Sequence, residues 1–152
     1  MDTVRALKQV IMFKDVPEPV LEIVAGTAEE VSVPAGQTII SVRDTDNALY
    51  VIRHGTVRVL HESAKTPPVF LGTGETLGEG LFMDVGPAGA TVIAVEHVDL
   101  FVFHSARVAD VLAGHPEAGY EFYRAIARTL AGRLRRAVGM IAFATDHEAL
   151  SS

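Results

Sequence analysis

The residues best placed to do chemistry lie in one stretch, Gly74 to Val92. Five glycines and one proline fall within these nineteen residues, between two segments that read as strands. Glycine-rich backbone turns sharply and can aim several N–H groups at one point, which makes a concavity for an anion. Glu79 to Met83 is long enough for one helical turn, whose leading N–H groups and dipole also favour negative charge. Glu79 opens that turn, where a carboxylate either favours the dipole or meets a ligand. Local side-chain charge opposes an anion. No Lys or Arg occurs between Lys65 and Arg107, and the interval carries Glu75, Glu79, Asp84, Glu96 and Asp99.

Other reactive constellations are missing. There is no cysteine, which excludes disulfides, thiol nucleophiles and zinc–thiolate sites. His54, His61, His97 and His104 lie on or near expected strands, as the metal ligands of a cupin barrel do. Such a site needs two histidines one residue apart and a glutamate soon after. Here only His61-Glu62 comes near, and no metal site is expected. No Gly-x-Ser-x-Gly occurs, and Ser32, Ser41, Ser63 and Ser105 have no implied His/Asp partners. Gly72-Thr73-Gly74 and Gly74…Gly78 fail as a dinucleotide fingerprint, because no long helix follows. The sequence makes no case for an enzyme or a cofactor.

The totals bound the rest. A chain of 152 residues with 49% apolar and 21% charged residues reads as one folded domain with a real core. No apolar run approaches a membrane span, and Met1-Asp2-Thr3-Val4-Arg5 lacks the start of a signal peptide, so a cytoplasmic protein with no membrane partner is expected. The net charge of −6 is uneven. Glu117 to Phe143 carries Arg124, Arg128, Arg133, Arg135 and Arg136 against Glu117 and Glu121 alone. An acidic body with one basic helix is not the pattern of a nucleic-acid binder, and a solvated helix face is the plain reading.

Elements that could position the loop follow in order. Residues 1–30 hold two short helices, with Val4, Leu7 and Val10/Ile11 on one face, a break at Asp15 to Pro19, and Val20 to Val24 ended by Gly26. From Glu30 the period is two. Val31, Val33, Ile39, Tyr50, Ile52, Val57 and Val59 sit in short runs cut by turns at Pro34-Ala35-Gly36, Asp44 to Asn47 and His54-Gly55. Residues 31–104 are therefore expected to form a sandwich or barrel carrying the 74–92 loop. Ser105 is a candidate cap for a short helix that Gly114-His115-Pro116 stops. A long helix follows through about Phe143, completing a helical region 105–143, and 144–152 reads as a frayed tail. Tyr123, Ala127, Leu130, Leu134, Ala137 and Ile141 form a heptad seam, with a second stripe, Phe122, Ile126, Thr129 and Arg133, beside it. Two adjacent stripes predict packing on the domain and on a partner helix, so a homodimer is expected.

The order of elements resembles the cyclic-nucleotide-binding domain of the catabolite activator protein and of protein kinase A regulatory subunits. Val33 to Ile40 is similar to that family's "paGetI" turn and strand, and Ala48 to Val59 to its "alYvI..G.v.V" strand pair. Gly78-Glu79 followed by Ala90-Thr91-Val92 matches the frame of its phosphate-binding cassette, "GE…RxATV". The resemblance covers nearly the whole chain. It implies a mainly β fold with flanking helices: a double-stranded β-helix, or jelly roll, closed by a long C-terminal helix.

It also implies a site. Gly78 and Glu79 open the cassette, with Glu79 the ribose ligand. Gly80, Leu81 and Phe82 offer backbone contacts. Ala88, Gly89, Ala90 and Thr91 line the pocket, and Arg133 on the lid helix is a phosphate or base contact. The ligand implied is a cyclic nucleotide, cyclic AMP or cyclic GMP. The family's phosphate-binding Arg, however, falls on Ala88. Losing a charge-assisted hydrogen bond of ~1.5–3 kcal/mol, or a stronger bidentate pair, weakens binding roughly ten- to a thousand-fold. The remaining cations are Arg53, Arg58 and Arg133. The expectation is a stand-alone sensory or regulatory domain with weak or atypical nucleotide binding. The alternative is a degenerate domain that serves as a dimeric protein-interaction module without a small ligand. DNA binding by this chain is not expected, because about nine residues after Phe143 are too few for a helix-turn-helix.

Overall fold

The structure, a computed structural model, describes residues 2–62 and 65–151. Asp2 caps α1 (Thr3–Lys8) by accepting from the Val4 N–H at 3.0 Å, which satisfies a donor that a helix start leaves orphaned. A 3-10 turn over Ile11–Phe13 and then α2 (Glu18–Ala25) follow, the second entered through Pro17 and Pro19. Proline suits a first turn, where the missing N–H has no acceptor. Leu7, Phe13, Leu21 and Val24 are fully buried beneath these segments.

Eight strands form two four-stranded antiparallel sheets. One runs β1 (Glu29–Val33), β8 (Val98–His104), β3 (Ala48–His54), β6 (Thr76–Leu77). The other runs β2 (Thr38–Ile40), β7 (Ala90–Ala94), β4 (Thr56–His61), β5 (Val69–Gly72). This is the jelly roll that the turn spacing and the resemblance led us to expect. The glycine-rich loop, with α3 (Glu79–Phe82) inside it, carries the chain from the end of β6 to the start of β7, and so from one sheet to the other.

The central strands β3 and β8 are buried on both faces, and their alternation divides the core in two. Leu49 and Val51 pair with Phe103 and Phe101 across the ladder, and all four pack against the helices with Phe13, Phe82, Phe122 and Ile126. Ala48 and Ile52, with Leu100 and Val102, turn the other way and pack between the sheets with Val57, Leu77, Leu81 and Val92. A period of two sends adjacent residues to opposite faces. Apolar residues at nearly every position therefore mean a strand covered on both sides.

Helices close the fold. α4 (Ser105–Leu112) starts one residue before the expected cap could act: its N-cap is His104, and Ser105 is already helical. α5 (Pro116–Ser151) is 36 residues long, about 54 Å at 1.5 Å per residue. The stretch expected to be a tail continues this helix as far as Ser151, and Ser152 lies outside the described residues. No glycine follows Gly139 and no proline follows Pro116, so nothing in the sequence stops the helix. Phe122 and Ile126 are buried on the domain, whereas Leu134, Ile141 and Phe143 are each at least 66% exposed.

Gly55 in the β3–β4 turn has φ +113°, and a Cβ there would meet the His97 carbonyl oxygen at 2.7 Å. Gly36 also has a positive φ, +86°, but a Cβ there would meet nothing within 4 Å. Gly55→Ala is expected to cost about 2–4 kcal/mol, strain plus clash, against about 1 kcal/mol for Gly36→Ala, strain alone. Urea midpoints at unchanged m-value would read the difference.

Candidate functional site

The loop is bent by Gly78. Its φ of +83° lies in the left-handed region, and a Cβ would sit 2.7 Å from the Ala48 carbonyl oxygen. Glycine alone fits there without strain. The turn reverses the chain off β6 and starts α3, which holds the Glu79 side chain inside the roll at 3% exposure.

Glu79 is fully engaged. Its Oε2 accepts from the Thr76 hydroxyl at 2.5 Å, and its Oε1 lies 2.7 Å from Arg133 Nη1. Arg133 Nη2 donates to the Thr76 carbonyl oxygen at 2.8 Å. Thr76, Glu79 and Arg133 thus close a ring that joins β6, α3 and α5. A buried carboxylate needs a cation and hydrogen bonds to offset lost hydration, and this one has both. The plain reading of Arg133 as a solvent-facing helix arginine is overturned: its guanidinium reaches into the roll.

A cavity of about 300 Å³ lies beside this ring. Of the residues expected at the site, Gly78, Glu79, Gly80, Leu81, Ala88, Gly89, Ala90 and Arg133 line it. Two do not. Phe82 turns into the helical core, its ring 6.0 Å from Phe122 and 6.3 Å from Tyr123. Thr91 points away from the cavity, and its hydroxyl oxygen accepts from the Val42 N–H at 3.1 Å. The correction follows from strand geometry, since Ala90 and Thr91 are neighbours on β7 and face opposite sides. Val85, Gly86 and Pro87 of the loop line the cavity too, and Ile40, Val59, Leu71, Leu77 and Val92 complete the wall. None of these last five was named as a site residue from sequence, although the alternation of β4 and β7 carries the signal for Val59 and Val92.

The cavity is therefore apolar except at one end, where Glu79 and Arg133 neutralise each other. Ala88 adds no charge, and its backbone is committed. The Ala88 N–H donates to the Asp44 carbonyl at 2.8 Å, and its own carbonyl accepts from the Arg43 N–H at 2.8 Å. The other candidate cations are elsewhere. Arg53 pairs with Glu30 at 2.9 Å and lies over the Phe101 ring, and Arg58 is exposed and off the cavity wall. The surroundings are negative. Tyr50, whose ring abuts Gly78, has its phenol pKa pushed up by burial first and then by the charges of Asp46, Asp44 and Glu29. Among the described residues no three His, Cys, Asp or Glu side chains gather as a metal site requires. No described helix is long and apolar enough to cross a membrane.

Comparison with known proteins agrees with this geometry. The family model of the cyclic nucleotide-binding domain matches residues 30–115, more than half of the chain. The chain belongs to the cyclic nucleotide-binding domain family. Solved structures share the fold. An N-terminal domain of a transcriptional regulator from Streptomyces coelicolor A3(2) is 25% identical with a TM-score of 0.72, over 84% of this chain and 94% of that one. The catabolite activator protein of Thermus thermophilus is 23% identical with a TM-score of 0.73, over 88% of this chain and 62% of that one. A cyclic nucleotide-binding domain from Methylobacillus flagellatus KT is 19% identical with a TM-score of 0.78, over 92% and 80%. The matched residues include the whole 74–92 loop.

Glu79 and Arg133 differ in access to water, at 3% and 36% side-chain exposure. Removing Arg133 strands a buried carboxylate, whereas removing the Glu79 charge leaves a guanidinium that can turn to solvent. Arg133→Met is expected to destabilise by about 2–3 kcal/mol and Glu79→Gln by about 1 kcal/mol, measured by urea unfolding. Equal losses would contradict the burial asymmetry.

Proposed function

We propose that this cyclic nucleotide-binding domain is a cytoplasmic sensory module whose cavity binds cyclic nucleotides weakly or not in the usual manner. The observation that carries this reading is the Arg133–Glu79 pair beside Ala88. The carboxylate that the family gives to the ribose is already bonded by a helix arginine. The position that the family gives to the phosphate arginine bears a methyl group. A cyclic nucleotide entering here would share Glu79 with Arg133 and set a charged phosphate against Val85, Ala88 and Ala90. Gly80 and Leu81 would still offer main-chain N–H groups, because the first turn of a helix leaves them without internal acceptors, whereas the Phe82 N–H already donates to the Gly78 carbonyl at 2.9 Å.

The test is thermal unfolding with cyclic AMP and cyclic GMP. Saturation at 100 times the dissociation constant would stabilise by ~2.7 kcal/mol. The parent chain is expected to show a shift only near millimolar nucleotide, and Ala88→Arg to bring the response down by about ten-fold or more in concentration. A micromolar response of the parent would overturn the reading.

The exposed stripe on α5 favours a second component, homodimerisation through the helix. Leu130, Leu134 and Ile141 of the Tyr123–Ala127–Leu130–Leu134–Ala137–Ile141 seam are 36%, 66% and 66% exposed on the single chain. Heptad-spaced apolar side chains in water favour a partner helix. Sedimentation of the parent is expected to give a dimer, and Leu134→Glu a monomer. A dimer with no nucleotide response even after Ala88→Arg would favour the alternative, a protein-interaction module without a small ligand.

A further inference from the structure

The basic face of α5 is not evenly solvated. A hollow of about 410 Å³ lies between the 3-10 turn with its sequel, residues 11–16, and α5. Lys14, Arg124, Arg128 and Arg136 line it, against two carboxylates, Asp15 and Glu121. Four of the chain's 13 Lys and Arg thus surround one recess of a protein that is acidic overall. None of the four is in an ion pair among the described residues. The pairs join Lys8 to Glu18, Arg43 to Glu62, Arg53 to Glu30 and Arg133 to Glu79, and two more place His97 beside Asp99 and His104 beside Glu29. Arg124 instead lies over the Tyr120 ring, 5.8 Å from its centroid. Asp15 and Glu121 leave the positive field in the hollow standing.

Its shape is specific. Arg128, Gly132 and Arg136 recur every four residues, so each step advances about 6 Å along one face of the helix. Gly132 sits between the two arginine stems and lines the hollow. It presents no side chain, and a Cβ there would meet nothing within 4 Å. A mid-helix glycine costs about 1 kcal/mol relative to alanine, and here it opens a trough between two guanidinium groups. Ile11, 60% exposed, stands on the opposite wall with Met12 and Val16.

We propose that this hollow binds an organic polyphosphate, a chain of two or three phosphates carrying an apolar or aromatic body. The phosphates lie along the Gly132 trough between Arg128 and Arg136. Arginine forks pair bidentately with phosphate oxygens. Lys14 approaches from the other wall, Arg124 extends the α5 row four residues before Arg128, and the body rests against Ile11 and Val16. The site is separate from the cavity inside the roll and does not rest on the nucleotide reading given above.

The experiment is calorimetric titration of the full chain with ATP, GTP, inorganic tripolyphosphate and orthophosphate at low salt. Nucleoside triphosphates are expected to bind several-fold more tightly than tripolyphosphate, and orthophosphate at least ten-fold more weakly than either. Raising salt from about 50 to 300 mM should weaken binding, since exposed charges are screened over a Debye length of about 10 Å at 0.1 M. Arg128→Glu with Arg136→Glu should weaken it by at least ten-fold. Both side chains are exposed, so the fold should survive. Gly132→Leu keeps every charge and fills the trough, and it too should weaken binding at least ten-fold. Arg58→Gln, at an exposed arginine on β4 outside the hollow, should leave it unchanged. No heat at millimolar triphosphate overturns the proposal, as does undiminished binding by Gly132→Leu, which would reduce the hollow to a diffuse basic face. Tripolyphosphate binding as tightly as ATP overturns the part given to the apolar wall.

Discussion

A carboxylate at 3% exposure constrains everything around it. Burial takes water from the Glu79 side chain, and a hydroxyl and a guanidinium replace it, from opposite directions in the sequence. Thr76 comes from the strand just before, and Arg133 from a helix 54 residues later. The ring they close is the polar tie between the glycine-rich loop and α5. Lower on α5, contact with the domain is apolar, through Phe122, Ala125 and Ile126. Apolar packing is non-directional and tolerates small slips, whereas a guanidinium aimed at two acceptors, Glu79 Oε1 and the Thr76 carbonyl, does not. Arg133 therefore fixes the rotation and height of α5 where Phe122 and Ile126 only hold it down.

That tie also decides what the cavity can hold. An unpaired arginine at its edge would make it a site for anions, and an unpaired glutamate would make it a site for donors. Paired, they leave a neutral polar corner on an apolar chamber. The loop retains the backbone form of an anion cradle, with Gly78 in the left-handed region and a one-turn helix beyond it. Its carboxylate is local, and the cation that pairs with it comes from α5.

Much of this was legible in the chain. The jelly roll could be read because its turns are marked by residues with local reasons to turn, such as Gly36 and Gly55, and because the short runs between them keep a period of two. The resemblance supplied Glu79 and the loop frame. The position of Arg133 was half legible. It is the fourth member of the stripe Phe122, Ile126, Thr129, Arg133, and a charged residue that continues a buried stripe must meet a partner. Nothing local identifies that partner, since the contact to Thr76 spans 57 positions. Thr91 was misplaced for a reason the sequence does contain. Ala90 and Thr91 are adjacent on a strand and cannot both face one cavity. α5 runs past the expected end at Phe143 because no glycine or proline follows Gly139 to stop it.

The charge map adds a last step. The roll is acidic, its cassette loop has no cation of its own, and the arginines are gathered on one helix. With a cation built into the loop, a bound anion would be held by the roll alone and α5 would respond only through packing. With the cation on α5, any group that competes for Glu79 or for Arg133 also changes the bond holding the helix to the roll. A ligand shifts a conformational balance only by the difference in its affinity for the two states. A molecule that leaves the Arg133–Glu79 pair intact fills the apolar chamber without disturbing this tie, and one that competes for either side chain loosens it, leaving Phe122, Ala125 and Ile126 to hold the helix.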